Sequence, residues 1–114
     1  MKSARMGLLV ALGLLLAGRA MAAPDQAQID RGHKVYDKWC FPCHGTGVGK
    51  PGTDALAARG KKPAVLEERT DLSASAIKTF VRRGVLYMPT FRKTEVSDAD
   101  LDAIAAYLTR NNKR

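Results

Sequence analysis

Apolar positions along this chain follow two patterns. One is an unbroken run near the start, Gly7 to Ala17 (GLLVALGLLLA). The other, beyond it, is apolar residues returning at helical spacing. Ile29, Gly32, Val35, Tyr36 and Trp39 recur every three or four residues, which predicts one stripe on a helix over residues 25–40. Asp25 suits its N-cap, and Gln28 stands at the capping-box position. Pro42 should end it, because proline lacks an N–H and draws Phe41 away from the α region. Ser73 predicts the start of a second helix reaching about Arg83, with Ile77, Phe80 and Val81 as its apolar face and Gly84 at C′. Ser97 begins a last helix in which Leu101, Ile104, Ala105 and Leu108 fall at i, i+3, i+4 and i+7. The tail from Asn111 to Arg114 is expected to fray.

The segments between these helices are rich in breakers. Residues 45–62 hold five glycines and Pro51, which predicts loop with a short helix at Asp54–Arg59. Pro63–Arg69 suits one short helix with Pro63 at its first position. Residues 85–96 are expected to be irregular: Val85–Phe91 has strand-like composition, but Pro89 argues against a paired strand. Nothing alternates polar and apolar long enough for a strand, and there are no internal repeats. The fold class is therefore all-α, about three main helices joined by long loops. Loops of this length in so small a chain call for something that orders them.

The run at 7–17 changes the picture of the whole. Lys2 and Arg5 precede it and Ala20-Met21-Ala22 follows it, the arrangement of a secretory signal peptide. It is too short to span a bilayer, which needs roughly 20 apolar residues. Residues 1–22 are expected to be cleaved after Ala22, with cleavage after Ala23 as the alternative. This leaves 23–114 as a single exported, periplasmic domain with no membrane anchor. The removed segment carries Lys2, Arg5 and Arg19 and no acid, so the net charge falls from +8 to +5. A domain of that size buries only about two-thirds of the surface its unfolded chain exposes. Small exported domains often add disulfides, metals or cofactors.

Cys40-Phe41-Pro42-Cys43-His44 is Cys-x-x-Cys-His, the attachment signature of a c-type haem. Positions i, i+3 and i+4 share one face of a helical turn. Two sulfurs can therefore reach two vinyl groups on one side of a porphyrin while His44 places a nitrogen on the iron. Three other readings compete. A thiol–disulfide oxidoreductase needs a βαβ frame that the pattern lacks. A zinc site wants four ligands, and only Cys40, Cys43, His44 and His33 are available as soft donors. A structural disulfide would close a tiny loop and stabilise little.

Met88 is the only methionine beyond the leader, 44 residues after His44, in Tyr87-Met88-Pro89. It could fill a core gap, as methionines generally do. With a haem present it becomes the candidate sixth ligand, His33 being the rival imidazole. A thioether favours Fe(II), and with His44 opposite it leaves no vacancy for oxygen. That is the chemistry of electron transfer; a gas sensor would require Met88 off the iron. The chain has no catalytic dyad or triad, and His33, lacking an obvious partner, is assigned to the surface.

Essentially all of residues 23–114 resembles a class I cytochrome c. That resemblance implies a first helix ending in the haem motif, a proline loop, a methionine loop and a last helix packed across the first. Gly32 and Tyr36 match the small and aromatic positions of the first helix, Ile104 and Tyr107 their partners on the last. Pro51 matches the proline whose carbonyl accepts the proximal histidine's Nδ1–H. The segments YDKWCFPCHG, LEERTDL, FVRRG and MPTFRKTEVSDADL are more narrowly similar to the cytochrome c subunits of bacterial flavocytochromes of the 4-cresol dehydrogenase and eugenol hydroxylase type. Membership would imply an FAD-containing subunit that oxidises a 4-alkylphenol and passes its electrons singly to the haem. A free-diffusing periplasmic carrier serving a respiratory chain is the alternative.

Basic residues come in pairs, Lys61-Lys62, Arg82-Arg83, Arg92-Lys93 and Lys113-Arg114, most of them read as solvated surface. No aromatic-interleaved basic stripe suggests nucleic acid. Arg82-Arg83 and Arg92-Lys93 bracket Met88. At least one of these four is expected near the haem, the rest steering an acidic partner.

Overall fold

The computed structural model describes residues 23–113, and the expected leader at 1–22 lies outside them. Five helices follow in order: α1 (Gln26–Trp39), α2 (Phe41–His44), α3 (Pro51–Ala58), α4 (Ala74–Arg83) and α5 (Asp98–Thr109). A 3-10 turn at Leu66–Glu68 lies between α3 and α4. Among the described residues the only pairing outside helices is an isolated bridge between Val85 and Met88. The three long helices stand where the apolar spacing predicts them. Their caps form as expected: Asp25, Ser73 and Ser97 accept from the backbone N–H groups of Gln28, Ala76 and Asp100, satisfying donors that a helix start leaves free.

The core is built where α1 crosses α5. Gly32 makes the crossing possible: a Cβ there would stand 2.0 Å from the Ala103 carbonyl oxygen and 2.8 Å from Tyr107 Cβ. Tyr36, one turn on, is fully buried and tilts against the Tyr107 ring at 5.6 Å. Leu101, Ile104, Ala105 and Leu108 are all buried, as their periodicity requires. Each large side chain removed from water here contributes about 1.5–3 kcal/mol.

Four expectations are corrected. Pro63–Arg69 is not a helix: Lys62–Pro63 is a cis peptide and only Leu66–Glu68 turns. The segment is claimed instead by long-range bonds from α5 and its C-terminal end. Tyr107 Oη donates to Glu67, Asn111 Nδ2 to the Glu67 carbonyl at 3.0 Å and Asn112 Nδ2 to the Leu72 carbonyl at 2.6 Å. The same bonds pin the tail through Asn112, which therefore does not fray from Asn111. The short helix in the glycine loop begins at Pro51 and not at Asp54, proline being suited to a first turn. Phe80 is 48% exposed. At 100° per residue it lies roughly 100° from Val81 around α4, so the buried pair is Ile77 and Val81.

Candidate functional site

Pro42 does not stop the chain from turning. After Trp39 a further helical turn forms, with the N–H groups of Cys43 and His44 donating to the Cys40 carbonyl at 3.1 and 2.9 Å. Proline is tolerated in such a first turn because its missing N–H would have no partner there. Cys40, Cys43 and His44 consequently share one face. Both thiols are free, Cys40 half-buried and Cys43 exposed. Burial, and then the neighbouring Cys43, push the Cys40 thiol up to about 12. A raised value makes Cys40 a poor attacking thiol.

His44 is held from two sides. Tyr36 Oη donates to its carbonyl at 3.2 Å, tying the motif to the centre of the α1–α5 core. Its ring lies against the start of α3, where a Cβ on Gly52 would stand 2.6 Å from His44 Cε1 and 2.7 Å from Nδ1. Thr53 Oγ1, from the same turn, donates to the Gly45 carbonyl at 2.9 Å. Nδ1 is buried with no hydrogen-bond partner. The expected bond from it to the Pro51 carbonyl is therefore not formed: Pro51 opens α3, and a carbonyl in a first helical turn points along the helix toward the N–H four residues on. Burial holds the His44 imidazole below its usual range, in the direction of the uncharged form that ligates a metal.

Met88 stands on a tight turn. Gly84, at φ +67°, leaves α4 with no room for a side chain, since a Cβ would meet the Met88 carbonyl oxygen at 2.6 Å. Val85 and Met88 then exchange backbone bonds of 3.2 and 2.9 Å, with Leu86 at φ +53° between them. The Met88 side chain is half-buried and packs on the same core cluster as Cys40 and Phe41. Phe91 joins the two regions. Its N–H donates to the Val81 carbonyl at 2.9 Å and its ring meets Trp39, next to Cys40, edge-on at 5.9 Å. The structure thus brings the motif and the Met88 segment to one core, with Gly52, Thr53 and Phe91 as supports that spacing alone does not reveal.

The bracket of cations around Met88 is less available than expected. Arg82 and Lys93 both bind Asp98, at 2.9 and 2.7 Å, and Arg92 binds Glu95 at 3.0 Å. Short acid–base spacings in folded loops satisfy these charges internally, and among the four Arg83 alone has no ion pair in the described residues. His33 is exposed but not without partners: it stacks on Tyr107 at 4.7 Å and approaches Asp37 at 3.5 Å. A cavity of about 350 Å³ between α1 and α5, lined by Ala27, Arg31 and Asp102 among others, contains none of the motif residues.

The residues fit a covalently bound haem. Two free thiols and an imidazole share one turn, a glycine backbone seals the ring's Nδ1 edge, and Nε2 is the nitrogen left for a metal. A soft thioether, the only one in the described residues, packs on the same core.

A family model described as "Cytochrome C oxidase, cbb3-type, subunit III" matches residues 27–108. The chain is also 36% identical, over 104 residues, to the "4-cresol dehydrogenase [hydroxylating] cytochrome c subunit" of Pseudomonas putida; the match covers 90% of this chain and 78% of that protein. No solved structure matches significantly. Among the described residues no helix is long and apolar enough to cross a membrane.

Proposed function

This chain belongs to the cytochrome c family, and on that premise we propose that it receives single electrons from a flavin-containing subunit of an alkylphenol-oxidising enzyme, as an exported domain comprising residues 23–114. Family membership makes it an electron carrier with covalently bound haem c. Cys40 and Cys43 would hold the haem through thioethers, and His44 and Met88 would ligate its iron. Haem c supplies the one-electron chemistry of its iron when bound.

The observation that carries the His44 assignment is its ring, sealed against Gly52 with Nδ1 out of reach of water. The chain's own residues do the rest. Tyr36 fixes the His44 backbone, the α1–α5 core is buried behind it, and paired bonds between Val85 and Met88 hold the backbone that carries the thioether. Met88 as a second protein ligand beside His44 would suit a carrier of electrons over oxygen chemistry.

The flavin partner is supported by the similarity to a 4-cresol dehydrogenase cytochrome subunit. Gel filtration of native extract tests it: co-elution with a flavin-containing chain is expected, and elution as a lone small protein would favour a free carrier. The leader reading rests on the charged, apolar and small-residue segments of positions 1–22. N-terminal sequencing of the exported protein should begin at Ala23.

A further inference from the structure

Among the described residues, Arg82 is the one cation of the Arg82-Arg83 and Arg92-Lys93 pairs that bonds both the Phe91 backbone and α5. It sits in the last turn of α4 with its side chain 23% exposed. One guanidinium nitrogen, Nη1, donates to the Phe91 carbonyl at 3.0 Å, and Nη2 donates to Asp98 Oδ1 at 2.9 Å. Asp98 is the first residue of α5, a place where helix dipoles favour a carboxylate, and its other oxygen takes Lys93 at 2.7 Å. Phe91 N–H is already bound to the Val81 carbonyl, so both polar groups of the Phe91 backbone are tied to α4. Thr90 Oγ1 adds a bond to the Arg83 carbonyl at 3.2 Å. Two residues separate Met88 from Phe91, whose ring leans on Trp39 beside the haem motif. Arg82 thus adds the tie to α5 that the Phe91 N–H and Thr90 Oγ1 bonds, both to α4, do not supply.

We propose that Arg82 is a positioning residue for the Met88 thioether, clamping the segment that follows Met88 between the end of α4 and the start of α5. A lysine cannot replace it, because a single ammonium lacks the planar fork that serves two acceptors at fixed geometry. The inference rests on the reading of Met88 as an axial ligand.

The test uses the haem-loaded protein and its Arg82→Gln, Arg82→Lys, Arg83→Gln and Met88→Ala variants. Imidazole binding to the ferric form reports how readily Met88 leaves. Amide exchange at Phe91 reports the clamp without reference to the haem. Arg82→Gln should raise imidazole affinity about tenfold, the loss of one hydrogen bond to a charged group, and speed exchange at Phe91. Arg82→Lys should recover only part of either effect, and Arg83→Gln should match the parent. Unchanged affinity and exchange in Arg82→Gln would overturn the clamp. If Arg82→Gln does not fold, Asp98→Asn, at an exposed carboxylate, takes its place: faster exchange at Phe91 supports the clamp and parental exchange overturns it. The ligation reading fails separately, if Met88→Ala binds imidazole no more tightly than the parent.

Discussion

The backbone of Gly52 lies flush against the His44 ring, close enough that a methyl group on Gly52 would stand 2.6 Å from Cε1 and 2.9 Å from the Cys43 carbonyl oxygen. One obstacle is a side chain that could swing, but the other is backbone. Gly52→Ala must therefore move the His44 turn relative to α3. Overpacking of this kind costs about 1–3 kcal/mol. The expected result is a lower yield of haem-loaded protein and a shifted reduction potential, measured by redox titration. A parental yield and potential would show that the ring does not depend on this contact.

Gly32 tests the core in the same way with a different balance. Alanine in place of glycine within a helix gains about 1 kcal/mol of propensity. Against this stands a 2.0 Å approach to the Ala103 carbonyl oxygen, which only separation of α1 from α5 can relieve. The clash should win. Gly32→Ala is expected to lower the chemical unfolding midpoint, with a net loss of at least about 1 kcal/mol.

These two glycines show what the sequence makes legible. Gly32 lies on an apolar stripe, so its burial follows from spacing. Gly52 lies in a stretch whose composition reads as loop, with four other glycines, and nothing local separates the one that cradles the His44 ring from the rest. Long helices with capping residues are similarly readable, because Asp25, Ser73 and Ser97 act on neighbours three residues away. Pro63–Arg69 is not, because Glu67 and Leu72 are bound by residues about 40 positions on. Phe80 marks a further limit: hydrophobicity at helical spacing does not say where a stripe ends. In the site, Cys40, Cys43 and His44 are visible as a motif, whereas the supports of Met88 arise from tertiary contacts with Val81 and Trp39.

Tyr107 ties the core to pH. Burial, followed by its bond to Glu67, pushes its hydroxyl from 10.0 up to about 12. A group whose folded value is raised contributes stability that is complete below the unfolded value and is lost as pH climbs through the folded one. Stability should therefore decline between about pH 10 and 12. Tyr107→Phe should be less stable at neutral pH by about 1 kcal/mol, from the lost hydrogen bond, but show a shallower alkaline decline. Helix content followed against pH measures both. Equal slopes would remove Tyr107 from the account.

Met88 carries the claim about potential. Met88→Ala should abolish the sulfur-to-iron charge-transfer absorption of the ferric protein and lower the reduction potential, because a soft thioether favours the ferrous state. An unaltered resting spectrum would place the thioether off the iron.

Whether a haem is bonded to this chain at Cys40 and Cys43 is measured by the intact mass of the exported protein under denaturing conditions. The expected mass is that of the processed chain plus one haem, reduced to the bare chain when both cysteines are replaced by serine. A parental mass equal to the bare polypeptide, with its thiols free or joined to each other, would contradict it.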